Sequence, residues 1–164
     1  MTRAELLSKD FTGKNIVIIG NPATGKTTLA RLIADRIGMY AAWKIVHTDD
    51  YIKEGEKDGY KQALYDMIAD LQKIHVPLII EGVQGYRLIR KGVEGWEGWN
   101  FYPEIVIELT ATDEQIRRVY ERERKGKDVG SLAGFNKMHS TILAKYREME
   151  NPHPPTWYTV ENKF

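Results

Sequence analysis

The sequence contains no cysteine. Disulfides and thiolate metal sites are therefore excluded, and a reducing compartment suits the chain. No apolar run exceeds the length of a strand, which excludes a membrane-spanning helix. Neither sign of charge is in excess: 24 Lys and Arg against 23 Asp and Glu leave a formal charge of +1. That balance lacks the global basic field of an obvious nucleic-acid binder and leaves room only for local patches. Met1 to Asp10 carries Arg3, Glu5, Lys9 and Asp10 and has no signal-peptide core, so the chain reads as cytoplasmic. Repeats and low-complexity segments are absent too. What is present is an ordinary soluble balance, 42% hydrophobic and 29% charged over 164 residues, which fits one domain, 1–164, around one core.

Hydrophobic patterning predicts strands alternating with helices. Lys14 to Gly20 is a β-branched run ending in glycine, Trp43 to His47 a second short strand, Pro77 to Glu81 a third, Glu104 to Leu109 a fourth, and Trp157 to Val160 an edge strand. Between them, Leu29, Leu32, Ile33 and Ile37 keep helical spacing up to Gly38, and Leu64, Met67, Ile68, Leu71 and Ile74 repeat it. Thr2 to Lys9 reads as a leading helix, Tyr86 to Lys91 as a short one and Thr48 to Gly59 as loop. Thr112 opens a helix with Asp113 and Glu114 in its first turn, and Phe135, Met138, Ile142, Tyr146 and Met149 mark a last long helix. The expected fold class is α/β: a parallel sheet of about five strands covered by helices on both faces. Ligands of such sheets bind at the carboxyl ends of the strands.

One motif is complete. Gly20-Asn21-Pro22-Ala23-Thr24-Gly25-Lys26-Thr27 satisfies G-x-x-x-x-G-K-[ST] between a hydrophobic strand and an amphipathic helix. Glycines let such a loop wrap a phosphate with backbone N–H groups, and the helix that follows points its positive end at the same place. Residues Gly20 to Thr28, with Thr28 closing the run, are thus candidates for holding a nucleoside triphosphate such as ATP. Lys26 reaches the β- and γ-phosphates, and the Thr27 hydroxyl holds Mg²⁺. A glycine turn before an ordinary helix is the bland alternative, and the strand–loop–helix context argues against it.

Acids stand at two other strand ends. His47-Thr48-Asp49-Asp50-Tyr51 follows the second strand, where a carboxylate would lie beside the phosphate loop and take a proton from an acceptor hydroxyl. Asp49 is the expected base, with Asp50 supporting it or touching metal-bound water. Glu81 ends the third strand, suited to Mg²⁺ or to the acceptor's hydroxyls. The bland readings are a solvated acidic loop and a helix-capping acid. The four histidines show no ligand spacing, and no metal site is assigned to them.

The loop GNPATGKTT, HTDDY after strand two, PLIIEG after strand three and KYREM at Lys145 to Met149 stand in the order found in the uridine kinase and nicotinamide riboside kinase group, which the chain resembles from Lys14 to about Tyr158. The resemblance implies a P-loop kinase using ATP and Mg²⁺. Asp49 would be its catalytic base, Glu81 would assist with metal and substrate, and an arginine lid over about 117–128 would hold Arg117, Arg118, Arg122 and Arg124. Two departures weaken the link to a particular acceptor: the stretch from Tyr51 to Pro77 is short, and Gly95 to Tyr102 has no counterpart. Small phage-type kinases acting on hydroxymethyl pyrimidines, including within DNA, share the same core.

Within the lid, Arg118 and Arg122 lie one turn apart and are the expected phosphate contacts, although i,i+4 pairing on a solvated helix explains much of the same charge. Trp96, Trp99, Phe101 and Tyr102 either stack on a base or pack beneath a long loop. Three functions follow: a kinase of a free nucleoside-like molecule, a kinase of a modified base in DNA, and a nucleotide-hydrolysing switch. The third fits least, because no N-K-x-D guanine motif is present and Asn136-Lys137 runs on into Met138-His139.

Overall fold

The computed structural model describes residues 1–20, 24–37, 43–52, 59–82, 84–123, 137, 140–141 and 143–162. Five strands, β1 (Ile16–Gly20), β2 (Lys44–His47), β3 (Leu78–Glu81), β4 (Ile105–Thr110) and β5 (Thr156–Glu161), form one sheet in the order β2-β3-β1-β4-β5. Every pairing is parallel. All five expected strands are present, and the last is an edge strand, as its short half-polar pattern implies.

Parallel neighbours need crossovers, and helices supply them. These are α1 (Arg3–Leu7), α2 (Lys26–Ile37), α3 (Gly59–Leu71), α4 (Gly85–Glu94) and α5 (Asp113–Glu123), followed by α6, described over 143–148. Helix α1 opens with a capping box in which Thr2 and Glu5 bond each other's backbone N–H. Thr112 and Gln115 do the same for α5, at 3.2 and 3.1 Å. The loop expected over Thr48 to Gly59 opens with a 3-10 turn, Thr48–Tyr51, and α3 begins at Gly59, while 53–58 lie outside the described residues; the short helix after β3 is longer than its sequence pattern, ending at Gly95 in the left-handed conformation.

Side chains of a strand alternate between faces, and the core divides accordingly. Val17 and Ile19 face one side, with Val46, Ile80 and Val106, beneath Leu64, Met67 and Ile68 of α3 and Leu88 and Ile89 of α4. Ile16 and Ile18 face the other, with Ile79, Ile105 and Ile107, beneath Leu6 of α1 and Leu29 and Ile33 of α2. Burying each isoleucine fully contributes about 1.5–3 kcal/mol. None of the described helices is long and apolar enough to cross a membrane.

The aromatic segment belongs to this core. Trp99 and Phe101 are buried and stack at 5.0 Å between ring centroids, and Trp99 Nε1–H donates to Leu88 O at 2.9 Å. Gly92 allows that approach, since a Cβ there would meet the Phe101 backbone nitrogen at 2.9 Å. Trp96 leans on Tyr65 of α3 with Lys91 over its ring, and Tyr102 meets His153 edge-on. The stacking platform for a nucleic-acid base that these rings offer on paper is thus lost for Trp99 and Phe101, whose apolar area is spent under α4.

Candidate functional site

The carboxyl ends of β1, β3 and β2 bring the candidate residues together. In register, Ile18 lies opposite Glu81, and Glu81 opposite His47. Gly20 extends β1 two residues past that row, and the phosphate loop leaves from there. Gly20 (φ +156°) sits so close to β4 that a Cβ would fall 2.3 Å from Leu109 O, so the first glycine of the motif is required by packing. Asn21, Pro22 and Ala23 lie outside the described residues. Thr24 is buried, Gly25 has φ +91°, and α2 begins at Lys26 with the first helical bond, Leu29 N–H to Gly25 O, at 3.0 Å.

Lys26 is 8% exposed, and its Nζ donates to Gly20 O at 3.1 Å across the loop. A buried ammonium needs such acceptors. The first turn of α2, Lys26-Thr27-Thr28, contains no acidic residue, so the partial positive charge of the helix start is not neutralised from within the helix. Thr28 is exposed on that turn.

Glu81 ties the three strand ends to the loop. It is 6% exposed, and its Oε1 accepts from the Thr27 hydroxyl at 2.9 Å and meets His47 Nδ1 at 2.5 Å. Because β3 stands between β1 and β2, the acid beside the phosphate loop is Glu81, while Asp49 and Asp50 ride one strand farther out. Both aspartates are exposed on the 3-10 turn, which is closed by Ile52 N–H donating to Asp49 O at 3.1 Å. Tyr51 fastens the turn to α3 by donating to Asp70 Oδ2 at 2.8 Å. Burial, then that hydrogen bond and the charge of Asp70, push the Tyr51 hydroxyl up to about 12, so it stays a donor at neutral pH.

Thr48, fully buried at the start of this turn, packs against Gly82 after β3, whose φ is +131°. A Cβ on Gly82 would run into the Thr48 hydroxyl. Gly82→Ala should therefore destabilise the fold by about 2–4 kcal/mol, from backbone strain plus the clash, read as a shifted midpoint in urea unfolding.

Arg118 and Arg122 are exposed on α5, and Arg118 pairs with Glu114 one turn earlier at 2.8 Å. Arg124 lies outside the described residues, as do Phe135, Met138 and Ile142, which the sequence pattern assigns to the last helix. The KYREM segment anchors α6 instead: Arg147 pairs with Glu108 and covers the Trp157 ring, which stacks on Tyr146 at 5.4 Å. Burial raises the Tyr146 hydroxyl to about 12.

His47 escaped the sequence reading, which looked for ligand spacing along the chain. Its link to Glu81 runs across the sheet, and the signal was positional: each residue is the last of its strand.

No family model matches the chain. Its fold is shared with solved structures of kinases. It resembles a deoxyadenosine kinase from M. mycoides solved with bound dCTP (TM-score 0.56, 15% identity, 90% of this chain and 89% of that one). It also resembles a shikimate kinase from Bacteroides thetaiotaomicron (0.55, 17%, 91% and 85%). A third likeness is to a gluconokinase from Sinorhizobium meliloti (0.54, 14%, 93% and 84%).

Proposed function

We propose that the chain is an ATP-dependent phosphotransferase that moves a γ-phosphoryl group onto a hydroxyl of a nucleoside-like small molecule. The observation that carries this reading is the cluster of Lys26, Thr27, Glu81 and His47 at the mouth of a complete phosphate loop. Thr27 and Glu81 offer two hard oxygen donors 2.9 Å apart, a set that fits Mg²⁺, which binds few protein oxygens and keeps several waters. Bound there, Mg²⁺ would offset phosphate charge. Lys26 neutralises the phosphate chain from the other side, and Gly25 and the first turn of α2 offer it backbone N–H groups. Asp49, exposed on the turn that Tyr51 pins, would take the acceptor hydroxyl's proton as that oxygen attacks phosphorus in line. His47 holds the Glu81 carboxylate in place. Arg118 and Arg122, exposed on α5, would serve as lid cations, the Arg118–Glu114 pair being a weak surface contact that phosphate can replace.

Among the kinases that share the fold, one is named for a deoxynucleoside, which supports a nucleoside-like acceptor. Burial takes Trp99 and Phe101 out of the case for a base drawn out of DNA. Labelled ATP supplied with either free nucleosides or hydroxymethylated DNA tests the choice. Label on the free nucleoside is expected; label retained on the polymer refutes the small-molecule reading, and ATP turnover that needs no acceptor points to a hydrolysing switch.

A further inference from the structure

We propose that Asn162, the residue after β5, is a positioning residue for the phosphate cradle: its side-chain amide sets the Thr24–Gly25 peptide so that the Gly25 N–H faces a bound polyphosphate. The inference rests on the phosphate-binding role proposed above. Asn162 is 4% exposed, and its Nδ2 donates to Thr24 O at 2.9 Å across 138 positions of sequence. Its own backbone is fixed by the sheet, since its N–H donates to Thr110 O at 2.7 Å, one step past the Thr110–Glu161 register.

The peptide geometry gives this contact its consequence. In a trans peptide the C=O and the following N–H point in opposite directions, so holding the Thr24 carbonyl toward Asn162 turns the Gly25 N–H the other way. This peptide is one that needs holding. Gly25 has φ +91° and no Cβ to restrict it, so its N-terminal peptide would otherwise rotate more freely than any other around the helix start. The loop is thereby gripped from two strands, by the close approach of Gly20 to Leu109 of β4 and by Asn162 beyond β5.

A second observation separates this role from packing. Asn162 Oδ1 is buried with no hydrogen-bond partner among the described residues. An unmet buried acceptor costs about 1–3 kcal/mol, a cost that packing of the core alone does not explain. The half of the amide in use is the half that faces the loop.

Titration calorimetry with Mg·ADP on the whole chain, paired with thermal unfolding, tests the assignment. Asn162→Leu removes one unmet acceptor and takes the Asn162 donor from another, the Thr24 carbonyl, so it is expected to unfold near the wild-type temperature and yet bind ADP about 3–10-fold more weakly, the worth of one lost hydrogen bond. Asn162→Asp, which sets an acceptor against the Thr24 carbonyl, should weaken ADP by more than about 10-fold. Wild-type affinity in Asn162→Leu overturns the proposal even if Asn162→Asp does not fold. A wild-type chain that fails to bind ADP overturns instead the phosphate-binding reading on which it rests.

Discussion

Lys26→Ala should reduce phosphoryl transfer by at least about 10²–10³-fold, the loss typical when one preorganised donor to transition-state charge is removed. Lys26 is the buried cation of the site, bonded to Gly20 O from the first turn of a helix with no acid in that turn. Alanine is a strong helix former and leaves no unpaired charge behind, so the circular dichroism spectrum should be unchanged. Steady-state kinetics with labelled ATP reads the effect. Activity within a few-fold of wild type would mean that the lysine serves the loop's structure and not phosphate.

The second large effect is expected at Asp49. Asp49→Asn should lower kcat by about 10²–10⁴-fold with little change in KM for ATP, as befits a general base that contacts the acceptor. Glu81→Gln should behave differently. It weakens the hydrogen bonds to Thr27 and His47 and lowers the charge near the first turn of α2, so its signature is a raised Mg²⁺ requirement together with a fall in rate. Near-normal turnover in Asp49→Asn would pass the role of base to Asp50 or Glu81, and Glu81 already stands one strand nearer the loop.

The strands were legible because most are short β-branched runs, and buried parallel strands have little other way to be written. The loop was legible because backbone wrapping of phosphate demands glycines at fixed spacing. Strand order was not: the chain meets β2 before β3, and only the assembled sheet inserts β3 between β2 and β1. That insertion brings Glu81 to Thr27 and makes a partner of His47. Asn162 was hidden for the same reason, since its contact with Thr24 closes only when β5 adds beyond β4. The tryptophans left two readings open because burial and base stacking ask for the same rings; at Trp99 and Phe101 burial is what the structure shows, with Gly92, whose missing side chain lets α4 close over Phe101.

A crystal structure of the chain with Mg²⁺ and a non-hydrolysable ATP analogue tests the central claim most directly. The expected result is a phosphate chain held by the backbone amides of residues 25–28 with Lys26 against its end, and a metal about 2.0–2.1 Å from the Thr27 hydroxyl oxygen. A nucleotide bound elsewhere, with Lys26 still turned to Gly20 and Glu81 remote from any phosphate, would contradict it.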